Sequence, residues 1–414
     1  MANQQHRTDR RRGIDRRYGA GRRRRTAVRL AAGALAGLTL LAAAPAAFAA
    51  APGPVEPAGG HRDAAALQRA LGGLVAGNMT TAAIAEVRDG GRTPWRGAAG
   101  VRSLDTGAPA PVDGRFRIGS ITKTFVATVV LQLKAERKLG LDDPVERHLP
   151  GLLPGGGAIT VRQLLNHTSG LFNYTDDAAF AEPETSPHWL AVGRWTSYRP
   201  QQLVALAAAH DPYFAPGQGW HYSNTNYIVL GMLIEKVTGH SWNEEVERRV
   251  ARPLDLRATS MPGTSPLITG PHARGYLKLP AGRADITELN PSMAGAAGAG
   301  ISSTADLTRF HAALLGGRLL RPAELAEMKT TVPSGGGDGY GLGLMRTSSP
   351  CGDLWGHGGG IPGYATLLLG GEDGRRQFAL SMTPFDLPDP DAAVRAQDAF
   401  VAEAACGSDR RPGA

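Results

Sequence analysis

Apolar positions along the chain change period twice, and the changes divide it into three parts. From Asp63 to Leu74, leucines at 67, 71 and 74 follow the i, i+4, i+7 spacing of an amphipathic helix. Two strand-like runs come next, Thr81 to Val87 and Trp95 to Val101, and the Asp89-Gly90-Gly91 turn between them predicts a hairpin. The middle of the chain is helical in pattern. Thr124 to Leu133 carries no charge and is apolar nearly all round, which predicts a buried helix running on to Gly140. Shorter helical runs follow at 141–144, 160–165 and 201–209, and a second apolar helix spans Tyr227 to Val237 and stops at Gly239. After residue 300 the period returns to two. Tyr340 to Met345, Leu354 to His357, Tyr364 to Leu369 and Gln377 to Met382 read as strands, with Glu372-Asp373-Gly374 as a turn, and a last helix covers Asp391 to Ala405. Strands at both ends with helices between them predict an α+β fold of two lobes. One antiparallel sheet is assembled from both termini, and a mostly helical lobe at about 124–300 is inserted into it. A site is expected in the cleft between the lobes.

Charge narrows the choice of partner. Residues 1–29 hold eleven arginines against Asp9 and Asp15, a net of +9, and the whole chain carries +8. The remaining 385 residues are therefore close to neutral at −1. The basic pI belongs to the leader, so nucleic acid or another polyanion is not the expected partner of the rest. Leu30 to Ala44 is an apolar run, Pro45 follows, and Ala47-Phe48-Ala49 supplies small residues, which together predict a secretory signal peptide over 1–49. An uncleaved anchor is the alternative, and Arg24-Arg25 leaves Sec and twin-arginine export both open. Residues 50–60, with Pro52, Pro54 and Pro57, read as a linker, 61–407 as the folded domain and 408–414 as a flexible tail. A secreted, monomeric product is expected, free or associated with the cell wall, with no stable membrane anchor. Cys351 and Cys406 are the two cysteines, and in an exported protein they predict a disulfide, with two free thiols as the alternative. No metal-ligand spacing occurs, and no cofactor is expected.

The chemistry starts at Phe116-Arg117-Ile118-Gly119-Ser120-Ile121-Thr122-Lys123, where a hydroxyl and an amine stand three residues apart at the start of the buried helix. Positions i and i+3 share a helical face, so Lys123 can reach the Ser120 oxygen. Taken alone, Ser-x-x-Lys is also the pattern of an N-capping serine with a solvated lysine. Two further patterns accompany it: Tyr222-Ser223-Asn224 in the helical part, and His357-Gly358-Gly359-Gly360 on a strand near the C-terminus. A serine hydroxyl needs a base to act as a nucleophile. No Gly-x-Ser-x-Gly elbow is present, which disfavours a Ser-His-Asp triad of the α/β-hydrolase kind. Lys123 supplies a positive charge or, if desolvated, a neutral amine; as a cation it is expected to lower the Tyr222 phenol toward the working range, and the two together to take the Ser120 proton. Which of them is the acylation base stays open.

In this order and spacing the three patterns resemble the penicillin-recognising serine hydrolases, in particular the branch with secreted D-alanyl-D-alanine carboxypeptidases of actinomycetes, class C β-lactamases and related esterases. Leu164-Leu165-Asn166-His167-Thr168-Ser169-Gly170-Leu171, Tyr340-Gly341-Leu342-Gly343-Leu344 and both Cys-Gly pairs extend the resemblance from about residue 62 to Gly407. It implies a β-lactamase/transpeptidase-like fold and an acyl-enzyme on Ser120. Asn224 is implied to hold Lys123 and the substrate amide, and the backbone N–H groups of Ser120 and Gly360 to form the oxyanion hole. Gly358, Gly359 and Gly360 let the strand approach the substrate closely. His357 stands where β-lactamases carry lysine, and is expected to donate to the site with a pH-dependent charge. His167-Thr168-Ser169 reads as support for the lobe. The carboxypeptidases of this branch bind a terminal carboxylate with threonines of a His-Thr-Gly-Thr strand and an arginine after Tyr-Gly-Leu-Gly-Leu. Here Gly358, Gly360 and Met345 occupy those places, and weak carboxypeptidase activity is expected relative to ester, amide or β-lactam turnover. The leading expectation is nevertheless a secreted serine hydrolase of D-alanyl-D-alanine carboxypeptidase type that acts on peptidoglycan-type peptides and binds β-lactams, with an esterase or β-lactamase on the same scaffold as the alternative and a pocket that binds without turnover as the remaining one.

Overall fold

The computed structural model describes residues 64–90, 94–335, 338–349 and 351–406. The expected signal peptide, linker and tail lie outside the described residues, as does the tip of the first hairpin. Ala64–Val75 forms α1, which buries Leu67, Leu71 and Leu74 as their spacing requires. Thr80–Asp89 (β1) and Trp95–Gly100 (β2) pair antiparallel. Between these and the C-terminal strands lie the helices Thr122–Ala135 (α2), Asn224–Thr238 (α3) and Thr304–Leu315 (α4), with several short helices and two small ribbons. Six strands then complete the sheet: Val332–Gly335 (β3), Asp338–Tyr340 (β4), Met345–Ser349 (β5), Gly352–Ile361 (β6), Tyr364–Gly371 (β7) and Arg376–Pro384 (β8). Pro390–Cys406 is α5.

The eight strands run in the order β2-β1-β8-β7-β6-β5-β4-β3, each antiparallel to its neighbours. Strands from the two ends of the fold thus meet within one sheet, one strand in from its β2 edge, where β1 pairs with β8. α1 packs on β1, β2 and α5, whereas α4 packs on β1, β7 and β8. β1 lies between these two packings, which is why its first eight residues are buried without alternation. A disulfide between Cys351 and Cys406 ties the end of α5 to the β5–β6 turn. Closing a loop of this size restrains the unfolded chain by about 4 kcal/mol.

Three local expectations are corrected. Tyr340 to Met345 is not one strand: Tyr340 ends β4 and Met345 begins β5, because Gly343 adopts φ +71° and the Gly341 N–H donates to the Leu344 carbonyl at 2.8 Å, closing a turn. α2 ends at Ala135 rather than near Gly140, since Arg137 turns left-handed at φ +60°. Its start is tighter than an α-helix, with a single 3₁₀ turn at Gly119–Ile121.

α2 is the axis of the core. Every residue from Thr122 to Leu131 is buried, which accounts for a sequence without a polar face. Phe125 stacks on Phe310 of α4 with ring centroids 3.7 Å apart, and α3 packs along its other side. Ser120 is therefore presented at the tip of an element that packing holds on every side.

Candidate active site

Position begins with backbone contacts. Gly119 has φ +48°, and a Cβ there would lie 2.7 Å from both the backbone N and O of Gly360, so β6 presses directly on the turn that carries Ser120. One residue earlier on β6, a Cβ on Gly359 would meet the Ile118 carbonyl at 2.0 Å. Hydroxyls fix the turn from the other side. Thr122 Oγ1 donates to the Gly119 carbonyl at 2.7 Å and accepts from the Gly300 N–H at 3.0 Å, and Thr366 Oγ1 donates to the Ile118 carbonyl at 3.1 Å. Both backbone groups expected to form the oxyanion hole, Ser120 and Gly360, lie in this contact.

Lys123 is completely buried, with Nζ 2.9 Å from Ser120 Oγ, 2.8 Å from Asn224 Oδ1 and 2.7 Å from the Ala297 carbonyl. Burial holds its amine well below lysine's ordinary range. Asn224 Oδ1 and the Ala297 carbonyl are acceptors only. A neutral amine has two N–H donors for them and one lone pair, which is left facing the serine hydroxyl. Asn224 is placed by its position at the start of α3, where its backbone N–H donates to Asn173 Oδ1 at 2.9 Å. Asn173 is set in turn by Thr175 and Asp176.

Tyr222 lies beside this pair, partly open to the cleft. Lys123 Nζ is 4.8 Å from its ring centroid, and Ser120 lies near enough to its hydroxyl to affect the phenol's protonation. Burial pushes its phenol upward, and Ser120 offsets this only in part. The expected lowering of the Tyr222 phenol beside a lysine cation is not found, because burial pushes the phenol up and the Lys123 amine down, which biases both groups toward their neutral forms.

His357 is corrected too. It is 2% exposed, and burial together with the nearby Lys123 lowers its pKa to about 3, so it stays neutral across the neutral range. Its Nδ1–H donates to the Gly358 carbonyl at 2.5 Å, which leaves Nε2 to accept the Tyr340 hydroxyl at 2.9 Å. Neither nitrogen is left to donate to a substrate. Gly358 and Gly360 border open space, where a Cβ on the first would meet nothing nearer than 3.9 Å and one on the second nothing within 4 Å. Arg346 does not replace the missing arginine, since its Nη1 faces Asp353 at 3.5 Å.

The sequence reading missed Ala297, Asn173 and Tyr340. Ala297 acts through its carbonyl, and no side-chain pattern marks a carbonyl; the small-residue run 294–300 was the available signal, since it lets the backbone approach Lys123. Asn173 lies just beyond the Leu164–Leu171 stretch. Tyr340 opens the Tyr-Gly-Leu-Gly-Leu motif, which by itself assigns its hydroxyl no role. Among the described residues, no group of three or more His, Cys, Asp or Glu side chains could hold a metal, and no helix is long and apolar enough to cross a membrane.

Comparison with known proteins agrees with this geometry. A D-stereospecific amidohydrolase from Streptomyces sp. superposes with a TM-score of 0.73 at 47% identity, covering 81% of this chain and 98% of that one. The D-amino acid amidase from Ochrobactrum anthropi SV3, complexed with L-phenylalanine, superposes with a TM-score of 0.71 at 27% identity, over 82% and 98% of the two chains. Among curated proteins, a penicillin-binding protein of Bacillus subtilis (strain 168) is 30% identical over 298 residues, 68% of this chain and 63% of that protein. Esterase EstB of Burkholderia gladioli is 36% identical over 184 residues, 42% and 45% of the two chains. This chain thus spans less than two thirds of the length of these two relatives. The profile of the beta-lactamase family matches residues 67–403, and with Ser120, Lys123 and Tyr222 brought together on its fold the chain belongs to the beta-lactamase family of serine hydrolases.

Proposed function

We propose that this chain is an exported serine amidohydrolase and esterase that forms an acyl-enzyme on Ser120 and prefers D-aminoacyl amides and esters to peptides ending in a free carboxylate. The observation that carries the preference is the wall of the cleft. Gly358, Gly360 and Met345 offer no hydrogen-bonding side chain, and His357 has both ring nitrogens engaged elsewhere. A carboxylate entering such a site gives up its water without a charged partner. The similarity to a D-stereospecific amidohydrolase and a D-amino acid amidase supports the same substrate class. The arginine-rich leader and the apolar run behind it support export.

In the forward step the neutral Lys123 amine takes the Ser120 proton as Oγ attacks the carbonyl carbon. The Ser120 and Gly360 N–H groups receive the oxyanion. Collapse of the tetrahedral intermediate breaks the bond to the leaving amine or alcohol, which takes its proton from the Tyr222 phenol. The Lys123 ammonium then returns a proton to Tyr222, leaving a neutral pair and an acylated serine. Water repeats the sequence in reverse order of roles and releases the acid.

The test compares kcat/KM for D-phenylalaninamide, its L enantiomer, D-phenylalanine methyl ester and the dipeptide D-Ala-D-Ala, with Ser120→Ala as control. The D amide and ester should exceed the dipeptide by about 10-fold or more, the value of one charged hydrogen bond. A dipeptide turned over faster than either would overturn the preference. A fluorescent penicillin should label the wild type and not Ser120→Ala, and label on both would remove Ser120 as nucleophile.

A further inference from the structure

We propose that His167 is a positioning residue that clamps Tyr222 in its proton-transfer orientation, an inference that rests on the reading of Tyr222 as the leaving-group acid. Three contacts from this one residue surround the tyrosine. The His167 carbonyl accepts the N–H of His221 at 3.1 Å, and its ring Nδ1 accepts the N–H of Ser223 at 3.2 Å, so the residues on either side of Tyr222 are both held. Its ring also lies over the Tyr222 ring, with centroids 4.3 Å apart and planes 31° apart. Rotation about the Tyr222 Cα–Cβ bond would carry the hydroxyl away from Ser120 through a wide arc, and the overlying ring blocks that rotation.

Reaching the 221–223 segment with both carbonyl and side chain requires His167 to fold back on itself. It does so at φ +63°, a conformation that L side chains disfavour. The side chain is also fixed in one tautomer. Nδ1 faces two donors, the Ser223 N–H and Asn226 Nδ2–H at 3.0 Å, and the Asn226 amide is oriented because its Oδ1 accepts the Ser169 hydroxyl at 2.6 Å. The proton is therefore on Nε2, which is buried without a hydrogen-bond partner among the described residues. A histidine kept only to join two segments would use both nitrogens. Here one nitrogen serves as an acceptor, the flat face covers Tyr222, and the remaining N–H is left among the rings of Tyr227, Tyr340 and Trp220.

The test is a double-mutant cycle on D-phenylalaninamide turnover, with kcat expressed per site titrated by fluorescent penicillin. His167→Asn keeps a residue that tolerates the left-handed backbone and an acceptor oxygen but removes the ring cover. It should lower kcat by about 10- to 100-fold, the scale set by lost alignment, with KM unchanged to within about two-fold. In the Tyr222→Phe background the same substitution should change kcat by no more than about two-fold. Should His167→Asn not fold, Ser169→Ala loosens the Asn226 amide that orients the His167 ring, and it should give a smaller kcat loss that also vanishes in Tyr222→Phe. Equal losses in both backgrounds, a change in KM alone, or no loss at all would overturn the clamp. Wild-type kcat in Tyr222→Phe alone would instead remove Tyr222 as the acid, an outcome distinct from failure of the clamp.

Discussion

Arg117 and Lys123 stand six residues apart, both buried to within 1% of full exclusion, and neither has a carboxylate within ion-pair distance among the described residues. Their surroundings are alike as well, since both donate to backbone carbonyls. Arg117 Nη2 reaches Pro266 at 2.6 Å, Thr287 at 3.0 Å and Leu289 at 3.2 Å, whereas Lys123 Nζ reaches Ala297 at 2.7 Å. Burial lowers Arg117 only to about 10, with Tyr364 and Glu288 nearby offsetting part of the effect, so it keeps its proton and its charge. The same burial takes Lys123 well below its ordinary range. A guanidinium is placed where charge must stay and bind loops together, and an amine where a proton must leave and return.

Exchanging the two chemistries should break this contrast most sharply at the serine. Lys123→Arg retains a cation but offers no accessible lone pair, and kcat/KM should fall by about 1000-fold or more, the scale of a lost general base. Penicillin labelling should slow in parallel. An arginine variant with near wild-type acylation would show that Lys123 acts as a charge and not as a base. Arg117→Met should instead lower stability by about 3 kcal/mol, because three carbonyls of the 266–289 region lose their buried donor. Denaturant midpoints measure this, while kcat per titrated site should stay within about three-fold of the wild type. A large loss of kcat with an unchanged midpoint would place Arg117 in the chemistry.

The contrast also marks what could be read in advance. Ser120, Lys123 and Tyr222 were found because each is a side chain in a short fixed pattern, and the two apolar helices because their periods differ from those of the strands. The one-sheet architecture followed from where those periods change. The protonation states were not legible, since desolvation depends on how many residues close over a group, and the Ala297 carbonyl and the Tyr340 hydroxyl that complete the site come from distant segments. The break at 341–344 was hidden by a glycine that looks the same in a strand as in a turn.

Histidines extend the comparison to groups that lose their charge on burial without themselves moving a proton in the reaction. His357 is lowered to about 3 and His311, bonded to Gln377 on β8, to about 4, both by burial first. His167 is lowered in the same direction, again by burial first. In the unfolded chain these rings take up protons near pH 6.5, and in the folded protein they do not. A lowered folded pKa gives stability that is fully present above the unfolded value and is lost as pH falls toward the folded value. Unfolding free energy should therefore fall between pH 6.5 and 4, by about 1.4 kcal/mol per pH unit for each histidine at its steepest. His311→Gln should reduce that slope by one histidine's share. A slope unchanged by the substitution would mean that His311 is protonated in the fold.

The smallest effect tests whether a permanent cation can be added where the cleft lacks one. Met345→Arg with Gly358→Thr and Gly360→Thr restores the carboxylate-binding pattern of the carboxypeptidases beside His357. A Cβ at Gly358 or Gly360 meets no atom nearer than 3.9 Å, so both positions can carry a side chain. The guanidinium must be the permanent kind that Arg117 exemplifies, since its fork matches a carboxylate and its proton does not leave on partial burial. Turnover of D-Ala-D-Ala peptides relative to D-phenylalaninamide should rise by about 10-fold in the triple variant, and by less with lysine at 345. The lysine version tests the comparison itself. Burial at the strand would lower its charge as it does for Lys123, so its advantage should fade as pH rises, whereas that of the arginine version should not. Equal gains from both at every pH would show that charge alone, and not the chemistry that keeps it, selects the carboxylate.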